Sequence, residues 1–135
     1  MRYSVVEREP TAVVFAAAAG DWESIPAAAG RAFEILETAI PPRGRKVYGY
    51  WHPPEREYRA CYARHDADDP AALGLGEAVL PGGRYARVRL RGDGAFADIA
   101  PSFAALAEEV RPDGERPWLE FYRRHDEVDL LVPVA

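Results

Sequence analysis

With 135 residues and 48% hydrophobic side chains, the chain has enough apolar material for one domain with a real core. A formal net charge of −5 argues against a nucleic-acid binder, which carries a basic excess, and no apolar run reaches the ~18 residues of a membrane span. Cys61 is the only cysteine, so no internal disulfide can form; with no signal-peptide core after Met1, a reducing cytoplasm is the expected setting.

Tyr3 to Glu7 and Thr11 to Ala18 are rich in Val and Phe and read as two strands broken at Glu9-Pro10. Ser24 is a candidate N-cap with Pro26 in the first turn, and Ile25, Ala28, Ala29, Ala32, Phe33 and Leu36 recur at helical spacing until Pro41-Pro42. Val47 to Trp51 and Glu57 to Ala63 are strands around a turn at His52-Pro53-Pro54-Glu55. His65 to Gly83 is polar, then Gly- and Pro-rich, and reads as the one long connection. Arg84 to Arg91 alternates, with Ala86, Val88 and Leu90 inward and Tyr85, Arg87, Arg89 and Arg91 outward. Phe96, Ile99, Phe103, Leu106 and Val110 mark a second helix; either Asp98 caps it with Pro101 in the first turn, or it starts earlier and bends. Trp118 to Arg123 and Val128 to Val134 close the chain as a hairpin tipped by Arg124 to Glu127.

The unusual stretch is Trp118-Leu119-Glu120-Phe121-Tyr122. On a strand, Trp118, Glu120 and Tyr122 share one face and Leu119 and Phe121 the other. A carboxylate set between aromatic rings needs a partner: a protein cation, such as Arg56 or Arg59, or a ligand cation flanked by cation–π faces.

The two halves also repeat a strand–helix–strand–strand order, with repeat one at about 1–64, a linker at about 65–83 and repeat two at about 84–135. Gly20-Asp21 answers Gly92-Asp93, Tyr50 answers Tyr122 and Glu55 answers Glu127, each 72 residues on. The expectation is an α+β domain: duplicated units about a pseudo-twofold axis, with an antiparallel sheet and two helices on one side. At that offset, Tyr48 and Tyr50 join Trp118, Glu120 and Tyr122 in lining a central groove.

In combination these marks resemble the GyrI-like small-molecule-binding domain, the effector-binding domain of AraC- and MerR-type multidrug regulators. The opening double strand Val5 to Val14, Leu80-Pro81-Gly82-Gly83-Arg84-Tyr85, Gly92, Glu120-Phe121-Tyr122 and Leu131-Val132-Pro133-Val134 carry the resemblance over nearly the whole chain. It implies a stand-alone effector-binding domain whose groove takes hydrophobic, often cationic aromatic compounds, with Glu120 facing the positive charge. Two other activities in the family are alternatives: hydrolysis of cyclopropane-bearing compounds, in which Glu120 and Tyr122 would act, and gyrase inhibition through protein binding. Exposed strand edges leave a homodimer open.

No cofactor is expected. His65-Asp66-Ala67-Asp68-Asp69 lacks the ligand order of a calcium loop or zinc spacing and reads as a solvated loop, so no metal is expected either. His125-Asp126-Glu127 reads as a hairpin tip and Cys61 as a buried thiol. The stripe Arg87, Arg89, Arg91 reads as an outer face, with no direct nucleic-acid contact.

Overall fold

The computed structural model describes residues 1–124 and 126–135; the expectation for His125 lies outside them. Ten regular elements follow in order: β1 (Ser4–Arg8), β2 (Thr11–Ala19), α1 (Ile25–Ala39), β3 (Val47–Trp51), β4 (Glu57–Ala63), β5 (Gly76–Leu80), β6 (Gly83–Arg91), α2 (Ile99–Glu109), β7 (Trp118–Arg124) and β8 (Glu127–Pro133). Both helix starts follow from local chemistry. The Asp21 backbone N–H donates to the Ser24 hydroxyl oxygen at 2.8 Å just ahead of α1, whose first turn holds Pro26. Asp98 stands at the N-cap position of α2 without a side-chain cap hydrogen bond, directly after a 3₁₀ turn at Ala95–Asp98, and Pro101 lies in the first turn of the helix.

All eight strands form one antiparallel, curled sheet in the order β1-β6-β8-β7-β3-β4-β2-β5. The order is unchanged when β1–β4 are exchanged with β5–β8, so the two halves are related by a pseudo-twofold axis between β3 and β7. Each half is strand–strand–helix–strand–strand, and each lends its first strand to the other: β1 pairs with β6, and β5 with β2. The stretch read as a connection over 65–83 therefore contains β5, the counterpart of β1. Its five residues alternate weakly around Gly76 and Ala78, which hides the period-2 signal.

Both helices lie on one face. Ala28, Ala32 and Leu36 of α1 are fully buried against Val14 and Ala16 of β2 and Tyr58, Ala60 and Tyr62 of β4. Phe103 and Leu106 of α2 pack on Ala86 and Val88 of β6 and Val128, Leu130 and Val132 of β8. The central pair β3–β7 lies in register between these two blocks with no helix above it, which leaves a groove.

The opposite face is also buried. Val13, Tyr48, Tyr50, Cys61, Leu80, Tyr85, Leu119 and Leu131 form a cluster there. Tyr85 is fully buried, against the outward reading; its ring packs under the Arg116 guanidinium and its hydroxyl donates to the Pro81 carbonyl at 2.6 Å. Arg89 instead pairs with Asp129 at 2.6 Å and Arg91 with Glu127 at 3.0 Å across the β6–β8 ladder.

Candidate functional site

Glu120 stands at the seam of the two halves. Its cross-strand neighbour is Gly49, and cross-strand partners share a face, so the side chain rises into the space above a residue that has none. A Cβ built on Gly49 would overlap Glu120 Oε1 and the Tyr58 hydroxyl, and sit 3.0 Å from Glu120 Cδ. The missing side chain is what makes room for the carboxylate.

The carboxylate is 6% exposed. Its Oε1 accepts hydrogen bonds from the Tyr58 hydroxyl at 2.6 Å and the Tyr122 hydroxyl at 2.8 Å. Among the described residues no Arg, Lys or His pairs with it: Arg56 binds Asp21, and Arg59 binds Glu57 at 2.8 Å and Glu55 at 3.3 Å. Burial pushes the Glu120 carboxyl above the usual range, and the two tyrosine hydroxyls only partly oppose this by stabilising the anion. Burial beside that acid in turn holds both the Tyr58 and Tyr122 hydroxyls well above the ordinary phenol value. The arrangement is a desolvated acid with two neutral donors and, among the described residues, no cationic partner.

Aromatic rings surround it. Tyr122 meets Phe33 edge-on at 5.8 Å and Phe96 edge-on at 5.5 Å, and Phe33 also leans on Tyr58 at 6.1 Å. Phe33, Phe96 and Tyr122, with Ile25, Ala29 and Ile99, wall a groove of about 970 Å³ between the helices. A second, almost closed void of about 20 Å³ adjoins it beyond Glu120, lined by Trp22, Trp51, Phe103 and Trp118. Trp118 touches Trp22 edge-on at 5.7 Å and Phe103 at 5.6 Å.

Glu120, Tyr122 and Trp118 thus share the groove face, whereas Tyr48 and Tyr50 do not. Their cross-strand partners are Phe121 and Leu119, so both tyrosines point to the helix-free face; Tyr48 stacks on Phe121 at 5.0 Å, and the Tyr50 hydroxyl donates to Glu55 at 2.6 Å. The reason is a one-residue change of offset. The outer strands β2 and β6 repeat at 72, with the same burial pattern, but β3 and β7 start 71 apart. A slip of one residue moves every side chain to the other face. At 71, Gly49 is the twofold counterpart of Glu120, and Trp51 that of Tyr122.

No protein-family profile matches the chain, and no curated protein matches its sequence. Solved structures do. An integron cassette protein from Vibrio cholerae superposes with a TM-score of 0.73 at 15% identity, covering 98% of this chain and 95% of its own. SAV2435, solved bound to tetraphenylphosphonium, gives 0.67 at 13% identity over 100% of this chain and 94% of its own. The EcmrR C-terminal domain gives 0.63 at 14% identity over 100% and 99%. The fold is that of the GyrI-like effector-binding domain.

Within this GyrI-like fold the sequence left Tyr58, Gly49 and Phe96 without a role in the site. Two signals for the first pair were present. A glycine between two strand tyrosines marks a close approach, and strict alternation from Ala60 and Tyr62 puts Tyr58 on the helix face. Phe33, on a helix otherwise rich in Ala, supplies the large group that the first half offers to the groove. Among the described residues, no group of His, Cys, Asp and Glu is arranged to hold a metal ion, and no helix is long and apolar enough to cross a membrane.

Proposed function

We propose that the chain binds a hydrophobic, cationic aromatic small molecule in the groove between α1 and α2, as a sensor or sequestering protein. The observation that carries the reading is the solitary carboxylate of Glu120: buried, donated to by Tyr58 and Tyr122, and at the floor of a groove walled by aromatic rings. A bare acid is costly there, and a bound cation offsets that cost while the ring faces add ~0.5–2 kcal/mol each. The tetraphenylphosphonium seen on SAV2435 belongs to the same ligand class. Tyr122 and Phe33 are the rings expected to flank the ligand, with Trp118 behind the acid. The same reading makes the chain's own partner a small molecule and not DNA.

Glu120→Gln keeps the shape and removes the charge. Affinity for tetraphenylphosphonium should fall by about 2 kcal/mol, roughly thirty-fold, as for loss of one partner of a buried charge pair. Neutral triphenylphosphine oxide should bind both forms within a factor of about two. Equal losses for the two ligands, read from quenching of tryptophan fluorescence, would sink the charge argument.

A further inference from the structure

The groove has symmetric walls and asymmetric ends. The twofold relation that carries Gly49 onto Glu120 also carries Val47 onto Trp118 and Trp51 onto Tyr122. At the Trp51–Trp118 end the space is filled by indoles, leaving only about 20 Å³. At the Val47–Tyr122 end it is open. A ligand seated on Glu120 extends one way only, past Tyr122.

The open end differs in chemistry as well. Glu37, Arg45, Arg123 and Arg124 border it. Arg45 is held by Asp68 through two bonds of 2.7 and 2.6 Å, and Arg124 lies 3.6 Å from Glu127. Arg123 has no carboxylate within ion-pair distance among the described residues, and Glu37, on the facing α1 bank, has no cation. Asp126 and Glu127 lie in a separate shallow depression that Arg123 also lines, but there Glu127 is already shared by Arg89, Arg91 and Arg124.

Arg123 should not face the groove at all. Strict alternation sends it to the side of Phe121. The β7–β8 pairing shifts register between Tyr122 and Arg124, and at this irregularity Arg123 stands on the rim, lining both the groove and the neighbouring depression. Bulges commonly re-aim side chains beside binding sites. It sits three strand residues beyond Glu120, roughly 10 Å along the backbone.

We infer that the ligand is amphoteric: a cationic aromatic system against Glu120 carrying an acidic group, carboxylate or sulfonate, that reaches Arg123 at the β7 bank of the mouth. This rests on the reading of Glu120 as the cation site and adds the opposite pole. Arg123 becomes a specificity-determining residue, and Glu37 on the other bank repels the acid toward it.

Rhodamine B and its methyl ester test this, because they share one xanthylium cation and differ by a single benzoate. Dissociation constants are read by fluorescence anisotropy at low salt. The free acid should bind the native chain roughly two- to five-fold more tightly than the ester, the range of one solvent-exposed ion pair. Arg123→Ala should abolish the preference while leaving the ester's affinity unchanged, and Arg123→Glu should reverse it. Ester binding with no gain for the acid, or a gain that survives in Arg123→Ala, overturns the inference and leaves Glu120 standing as the cation site. Failure of both dyes to bind overturns the two readings together.

Discussion

Gly49→Ala is the smallest change that tests the architecture of the site. The added methyl overlaps Glu120 Oε1 and the Tyr58 hydroxyl and comes within 3.0 Å of Glu120 Cδ. Neither side chain can yield freely. Tyr58 is 1% exposed, beneath α1, and Glu120 is held between Tyr58 and Tyr122. Overpacking alone costs ~1–3 kcal/mol, and tearing a buried carboxylate from its donors costs a similar amount. A combined loss of ~3 kcal/mol is expected, which for a domain of this size lowers the melting temperature by about 12 °C. Urea unfolding monitored by tryptophan fluorescence measures the first quantity and calorimetry the second. The same substitution in a Glu120→Ala/Tyr58→Phe background removes the atoms that the methyl meets and should cost less than ~1 kcal/mol, a coupling that identifies the contact. A single Gly49→Ala variant of near-native stability and undiminished affinity for tetraphenylphosphonium would refute the claim that Glu120 occupies the space above Gly49.

Three further outcomes follow from the same geometry. Because burial raises the Glu120 pKa above its unfolded value, the folded state without ligand favours the protonated acid; this contribution is fully present below the unfolded carboxylate pKa and is lost as pH rises through the folded one. Glu120→Gln should accordingly be more stable than the native chain near neutral pH and lose that advantage on acidification, as urea midpoints across pH would show. Binding runs the other way: a cation requires the anion, so affinity should rise with pH by up to tenfold per unit below the folded pKa, with proton release visible in calorimetry as a dependence on buffer ionisation enthalpy. Trp118→Ala enlarges the small void that adjoins the groove beyond Glu120; it should cost ~3 kcal/mol of stability and let the site accept cations too long for the native chain, measured as a Kd ratio for paired short and long phosphonium salts.

How much was legible in the sequence depended on whether a signal was local or relational. Trp118-Leu119-Glu120-Phe121-Tyr122 alternates within itself, so its division into groove face and back face could be read without knowing its neighbours. The helices announced themselves through their period, and Pro26 and Pro101 found their places in first turns. β5 did not, because a five-residue edge strand starting with Gly carries too little pattern. The repeat was visible too, in the shared order of elements and in Gly20 and Gly92, but the match of Tyr50 with Tyr122 at 72 was a false one, since Trp51 is the counterpart of Tyr122. What sequence similarity at one offset cannot show is where residues are lost between the matches.

That loss decides which residues meet Glu120. Between β6 and β7 the second half is shorter than the first by one residue, so the offset falls from 72 to 71. Counting at 72 makes Tyr48 the counterpart of Glu120 and proposes a ring of tyrosines; counting at 71 makes it Gly49 and opens a hole. The two answers differ by a single position, yet they lie on opposite faces of the sheet. The hole is the more informative answer. A duplicated domain places like residues on either side of its axis, and two equal side chains at Gly49 and Glu120 would meet in the middle. Here one half gives up its side chain, and the other puts an acid in the vacated space, with Tyr58 from the first half and Tyr122 from the second donating to the same oxygen. Breaking the symmetry at this point is what allows a single acid to sit at the centre of a twofold groove.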